Sequence, residues 1–206
     1  MIKVLEHPLV SRDISVIRDE RTSPSEFRNA ISRIASHLAI EAYYDINVEE
    51  TQVKTPLEVT KGCEISNKVL LIPILRAGLS LLDSFEQLYP NVQIGYCALK
   101  RNEKTFESEE YYYSIPKFDD NTVIIILEVM LATGGSILTL LSKLQLEGAT
   151  NIKVVAVVSA PEGLEKIASL YPNIEIITAV IDRELNDKKY ILPGLGDAGD
   201  RLNNTL

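Results

Sequence analysis

The segment Val123-Ile124-Ile125-Ile126-Leu127-Glu128-Val129-Met130-Leu131-Ala132-Thr133-Gly134-Gly135-Ser136 opens as a β-branched apolar run, meets an acid, and ends in small and hydroxyl residues. Apolar positions at helical spacing over 137–146 follow directly, so the local order is strand, loop, helix. The same rhythm extends to either side. Apolar runs occupy 69–75, 92–99, 123–127, 154–158 and 174–180, with helical patterns at 79–88 and 164–170 between several of them. Strands that are apolar at consecutive positions are covered on both faces, the habit of a parallel sheet flanked by helices. An α/β fold is therefore expected, and ligands of such folds gather beyond the carboxyl ends of the strands.

The flanks carry less. Ser23-Pro24-Ser25-Glu26 has the form of a capping box with proline at the first helical position, and Phe27, Ile31, Ile34, Ala35 and Leu38 continue at helical spacing. This predicts a structural helix behind an N-terminal arm. Ser159-Ala160-Pro161-Glu162 repeats the capping form ahead of 164–170. The charged and aromatic stretch 101–116, with Tyr111, Tyr112 and Tyr113, suits a hairpin or a flap. Residues 182–206 are rich in glycine, aspartate and asparagine and show no helical period. With no repeat or linker in the chain, residues 1–206 are expected to form a single domain.

A chain of 206 residues buries about 70% of its unfolded surface, enough for a core without cross-links. Cys63 and Cys97 are isolated in sequence, and His7 and His37 are the only histidines, which argues against a zinc site or a disulfide framework. Lone cysteines, and a start (Met1-Ile2-Lys3-Val4-Leu5-Glu6-His7) without a basic-then-apolar leader, point to the reducing cytoplasm. No run of about 18 apolar residues offers a membrane span. The formal net charge of −8, from 29 acidic and 21 basic residues, opposes nucleic-acid binding by general electrostatics. A phosphorylated ligand then has to be held by a few placed cations and by backbone amides.

Four segments at strand ends answer that description. In 128–136, small residues at a helix start let backbone N–H groups converge on an anion, with Thr133 and Ser136 adding hydroxyls. Glu128, at the strand end, suits sugar hydroxyls. The pattern is neither G-x-G-x-x-G nor G-x-x-x-x-G-K-[ST], so dinucleotide and Walker-type sites lose support. In Pro73-Ile74-Leu75-Arg76-Ala77-Gly78-Leu79, Arg76 can fork two hydrogen bonds onto a phosphate, and Ala77 and Gly78 leave the backbone room to approach. Lys100-Arg101-Asn102-Glu103 sets two cations together in an acidic chain. Tyr190-Ile191-Leu192-Pro193-Gly194-Leu195-Gly196-Asp197-Ala198-Gly199-Asp200 holds three glycines in six residues, a demand for close backbone approach. Each segment also has a plainer reading: a Gly-Gly turn capped by Ser136, a solvated arginine, a charged loop, a tight surface turn.

Taken together, the strings resemble the uracil phosphoribosyltransferase family of type I phosphoribosyltransferases. The carriers are Met130-Leu131-Ala132-Thr133-Gly134-Gly135-Ser136 after an acid, the Pro73 to Leu79 string, and Pro193-Gly194-Leu195-Gly196-Asp197-Ala198-Gly199-Asp200. His7-Pro8-Leu9-Val10, Thr55-Pro56-Leu57-Glu58, Ala160-Pro161-Glu162-Gly163 and Leu185-Asn186 extend the likeness over most of the chain. It implies a type I phosphoribosyltransferase-like parallel sheet flanked by helices, with an N-terminal arm and a hood formed partly by the C-terminal segment. It implies the conversion of uracil and 5-phosphoribosyl 1-diphosphate to UMP and pyrophosphate. Carried over by position, Glu128, Val129, Met130, Leu131, Ala132, Thr133, Gly134, Gly135 and Ser136 hold the ribose and its 5′-phosphate. Arg76 and Arg101 take the pyrophosphate, Ile191, Gly196 and Ala198 contact uracil, and Asp197 faces both ligands. Arg76, Arg101 and Asp197 are the catalytic candidates, Asp197 either aiding loss of the N1 proton or holding a metal-bound water. Mg²⁺ is the cofactor implied, carried mainly by the substrate rather than by a protein site. Homodimers or higher homo-oligomers are common in the family, GTP acts on some members, and the arm is suited to clasp a neighbour. For His7, packing of the arm is the expected role.

Uracil shows acceptor, donor, acceptor across O2, N3–H and O4, which a glycine-rich backbone can match; cytosine would strand buried polar groups at roughly 1–3 kcal/mol each. Two alternatives stay open: transfer to another base, such as a purine or orotate, and a sensor of the same fold that binds without turnover. The chain departs from the family at Glu128-Val129 (usually Asp-Pro), at Lys189 (commonly glycine) and at Asn203-Asn204-Thr205 (usually Phe-Gly-Thr).

Overall fold

The apolar runs become the strands of one sheet in a computed structural model that describes residues 1–101 and 108–205. In chain order the elements are β1 (Ile2–Val4), α1 (Pro8–Arg18), α2 (Pro24–Ala42), β2 (Val48–Lys54), β3 (Val59–Ile65), β4 (Lys68–Leu75), α3 (Leu79–Leu88), β5 (Gln93–Ile94), β6 (Tyr96–Arg101) and β7 (Ser108–Ser114). There follow β8 (Thr122–Leu131), α4 (Gly135–Leu146), β9 (Ile152–Ser159), α5 (Pro161–Leu170), β10 (Glu175–Ile181), β11 (Glu184–Leu185), β12 (Ile191–Leu192) and α6 (Ala198–Asn203). Among the described residues the main sheet is ordered β1-β10-β9-β8-β4-β6-β7, with β5 also on β4. Its neighbours pair parallel except β6 with β7.

Two cores explain why the strands are apolar at every position. Val69, Leu71, Val123, Ile125, Leu127, Val155 and Ile177 pack with α1, α2 and α3 on one face. Leu70, Ile72, Ile124, Ile126, Val154 and Ile176 pack with α4 and α5 on the other. Each step along a strand switches side chains from one core to the other. The helix at Ser23 forms as its cap predicts: Ser23 Oγ accepts from the Glu26 N–H at 3.2 Å, with Pro24 at the first turn.

Several elements differ from the sequence expectation. The strand at 123–127 continues to Leu131, so the acid and the apolar residues after it still pair with β9. The run 92–99 breaks at Gly95 into β5 and β6. The arm is not loose: Ile2–Val4 lies parallel on β10 as an edge strand, and α1 follows. His7 caps α1, its Nδ1 accepting from the Leu9 N–H at 3.2 Å, in keeping with a packing role. Ser159 does not cap α5. It is fully buried at the end of β9 and shares a 2.8 Å hydrogen bond with Thr178, while Ala160 becomes the N-cap and Glu162 accepts from the Leu185 N–H. The stretch 101–116 is a hairpin in its strands, with 102–107 outside the described residues. The antiparallel pair β2 and β3 was not foreseen, because its residues are nearly all exposed and show no apolar face. The short α6 was missed as well.

Candidate active site

At the carboxyl ends of β4 and β8, a cleft of about 270 Å³ is lined by Ile74, Leu75, Arg76, Ala77, Leu99, Glu128, Met130, Ala132 and Ser136 on one side. The other side is Lys189, Tyr190, Ile191, Gly196, Asp197, Ala198 and Gly199. Segments far apart in sequence thus meet where an α/β sheet is expected to bind ligands.

The side built from 128–136 follows from a strand that runs straight into a helix. Gly134, at φ +72, is the N-cap of α4 and has no side chain to offer its amides, while Thr133 Oγ1 accepts from the Gly135 N–H at 3.3 Å. Glu128 and Met130 line the cleft, but Val129 and Leu131 are buried in opposite cores. Of the carried-over residues, those two can reach a ligand only through backbone.

Glu128 is partly buried, and burial pushes its carboxyl up to about 7, offset in part by the amides of Val129 and Met130. Its Oε1 accepts from the Val129 N–H at 2.9 Å. A proline at that position has no N–H to give. The departure to Glu128-Val129 is thus internally consistent: the longer acid curls back onto the amide that valine supplies.

Arg76 reaches across the cleft mouth. Its Nη2 lies 3.3 Å from Asp200 Oδ1, an exposed pair that sequence reasoning did not anticipate. A side chain on Gly199 would come within 3.2 Å of the same nitrogen. Gly78 serves packing rather than ligand approach, since a Cβ there would stand 2.3 Å from the Leu127 carbonyl. Arg101 ends β6, and its partner in register is Ser108. Asn102 and Glu103 of the same motif lie outside the described residues.

The side built from 189–199 is irregular. Gly194 (φ +61) could not carry a side chain, because its Cβ would sit 2.2 Å from the Ile191 carbonyl. At Gly196 (φ +82) a Cβ would meet Arg201 Cδ at an ordinary 3.8 Å, so only its backbone angle calls for glycine, and it faces the cleft. Asp197 is exposed and its Oδ1 accepts from the Asp200 N–H at 2.9 Å, capping α6. Ile191 and Ala198 are buried below the loop.

Lys189 and Tyr190, missed as site residues, line the cleft beside them. Lys189 (φ 64) and Asn204 (φ 55) are the non-glycine residues with positive φ among those described, a backbone region that favours glycine. Asparagine tolerates that region, whereas lysine there costs roughly 1–2 kcal/mol.

Comparison with known proteins agrees with this geometry. A match to the family described as uracil phosphoribosyltransferase spans residues 4–205. A Thermosipho melanesiensis uracil phosphoribosyltransferase is 46% identical over 202 residues, covering 98% of this chain and 97% of its own. One from Campylobacter curvus is 40% identical over 205 residues, covering 100% and 99%. A solved Aquifex aeolicus protein superposes with a TM-score of 0.94 at 37% identity, covering 100% and 99%. A Bacillus anthracis hypoxanthine-guanine phosphoribosyltransferase, at 10% identity, a TM-score of 0.51 and coverage of 77% and 80%, shares the fold.

Proposed function

The chain belongs to the uracil phosphoribosyltransferase family and is a pentosyltransferase acting on uracil, and we propose the following division of labour within its cleft. Pyrophosphate leaves C1 of 5-phosphoribosyl 1-diphosphate as N1 of uracil approaches from the opposite face, giving UMP. Charge develops on the sugar and on the leaving group, so the protein's work is positioning and electrostatic stabilisation rather than nucleophilic attack. The amides and hydroxyls of 133–136 hold the 5′-phosphate, and Glu128 orients the ribose hydroxyls. Arg76 and Arg101 neutralise the departing pyrophosphate. The pair of Arg76 with Asp200 is exposed at 59% and 36%, worth at most about 1 kcal/mol, so an incoming diphosphate readily displaces it.

Ile191, Gly196 and Ala198 contact uracil, largely through backbone. Asp197 uses one oxygen as a cap and turns the other to the ligands, aiding loss of the N1 proton or holding water. Mg²⁺ fits as an ion brought in by the diphosphate, whose oxygens suit its preference for hard oxygen ligands. Bound there, it would add positive charge to the leaving group, with Asp197 at the rim placed to hold a metal-bound water. The −8 charge argues against a nucleic-acid partner, and no described helix is long and apolar enough to cross a membrane. We place the enzyme in the cytoplasm, as a single domain over 1–206 and a homodimer or higher homo-oligomer.

One observation carries the reading: Arg76, Glu128, Ser136 and the loop 196–199 line one cleft. The test is pyrophosphate release from 5-phosphoribosyl 1-diphosphate and Mg²⁺ with uracil, cytosine or hypoxanthine. Release with uracil alone is expected. Release with hypoxanthine instead would overturn the base assignment, and ligand binding without release would make the protein a sensor.

A further inference from the structure

Gly194 stands immediately before the part of the base loop that lines the cleft, and both of its backbone groups are taken. Its N–H donates to Asp182 Oδ2 at 2.9 Å, and its carbonyl accepts from Arg18 Nη1 at 2.9 Å. Arg18 in turn forks onto both oxygens of Asp182, at 3.0 and 2.5 Å. An ion pair between the end of α1 and the residue after β10 therefore grips one residue by both of its flanking peptide units. The Asp182 side chain is only 2% exposed. The next carbonyl, that of Leu195, accepts from Arg201 Nη1 at 2.8 Å. Arg201 also donates to the carbonyls of Ile17 and Asp19 at the end of α1, and lies over the Phe27 ring at 4.4 Å. Two guanidinium groups thus tie one loop to one helix end, and the next residue, Gly196, opens on the cleft.

We propose that Arg18, Asp182 and Arg201 are positioning residues that hold the base-reading backbone in register with uracil. The proposal rests on the assignment of Gly196 and Ala198 to the base. The physical reason is the loop's composition. Glycine-rich backbone loses much conformational freedom when fixed, and no apolar side chain of Gly194 or Gly196 can anchor it. The Arg18–Asp182 pair and the carbonyl-bonded Arg201 supply the missing rigidity, because arginine's planar guanidinium bonds several acceptors at set angles. Preorganised backbone lets base binding proceed without ordering the loop at that moment.

A plain structural staple would change stability and leave substrate preference alone. The decisive variant is therefore Arg18→Lys, which keeps a positive charge opposite Asp182 but cannot fork across to the Gly194 carbonyl. Asp182→Asn is the second, keeping an acceptor for the Gly194 N–H while loosening Arg18. Ala198→Val is the comparator within the base loop. For Arg18→Lys we expect at least a ~5-fold rise in the KM for uracil, a change within about 2-fold in the KM for 5-phosphoribosyl 1-diphosphate, and a folded protein by circular dichroism. Asp182→Asn is expected to move in the same direction. Equal rises in both KM values, or none for uracil beside a clear rise in Ala198→Val, would overturn the clamp alone. No rise in Ala198→Val would overturn the base assignment, and the clamp with it.

Discussion

The segment 132–136, proposed as the phosphate cradle, lines the cleft through Ala132 and Ser136, and the proposed base loop at 193–199 lines it through 196–199, but the two are held by different means. The cradle follows from two regular elements, β8 and α4, whose apolar residues fill the core on either side. Nothing remote is needed to shape it beyond the packing that makes the sheet. In the other loop Leu195 and Ala198 also reach the core, but residues 193–197 belong to no helix or strand. The loop runs through a positive-φ glycine at each of 194 and 196, and its carbonyls are met by Arg18 and Arg201 from outside the loop. A site whose geometry comes from regular elements tolerates change around it, whereas one built from irregular backbone depends on particular distant side chains.

The comparison is broken most sharply at Arg76, which lines the cleft and pairs across it with Asp200. Arg76→Ala is expected to cut turnover by at least ~100-fold with little change in Tm, since about 3 kcal/mol of transition-state stabilisation is lost while its ion pair is exposed. Near-normal turnover would remove Arg76 from the chemistry.

Next is Gly194→Ala, which forces a side chain into the Ile191 carbonyl at a positive φ. A loss of more than ~2 kcal/mol in urea unfolding and a rise of ~10-fold in the KM for uracil are expected. An unchanged uracil KM would show that the loop's shape is not what recognises the base.

Glu128 tests the cradle side through pH. Its carboxyl is raised from 4.5 to about 7 in the folded protein, so the folded state favours the proton. Stability from this group is full below pH 4.5 and is lost as pH rises through 7. Glu128→Gln is therefore expected to raise Tm at pH 8 and to leave it nearly unchanged at pH 4. Catalysis has the opposite sign, because ribose hydroxyls bond best to the charged form. Wild-type kcat/KM for 5-phosphoribosyl 1-diphosphate should fall as pH drops below 7. The variant should lie roughly 10-fold lower at pH 8 without that slope. A wild-type profile flat across pH 6–8 would take Glu128 out of ribose binding.

The smallest effect is expected from Ser136→Ala, about a 3-fold rise in the KM for 5-phosphoribosyl 1-diphosphate with the uracil KM unchanged, since one neutral hydrogen bond is worth about 1 kcal/mol. A shift in the uracil KM instead would mean that the two walls are coupled.

The two walls were also unequally legible. Residues 123–146 announced a strand, a turn and a helix because hydrophobic period and small-residue turns act over neighbouring positions, although the strand runs on to Leu131. The same local logic put Arg76 at a strand end. It failed at Ser159, where a capping pattern was overridden by burial against Thr178. It failed for β2 and β3, which bury too little to leave a pattern. It could not give a partner to Arg18, whose contacts lie 164 and 176 residues away.

By itself the sequence determined the alternation of strands and helices, the two-sided burial of the sheet, and the strings that tie the chain to its family. Those rest on periodicity and turn chemistry, which are read over a few residues. Only the folded chain decided that Val129 and Leu131 turn into opposite cores, that Arg76 meets Asp200, and that Arg18, Asp182 and Arg201 converge on Gly194 and Leu195. Side-chain direction and long-range pairing depend on how distant elements pack, and no local pattern encodes that.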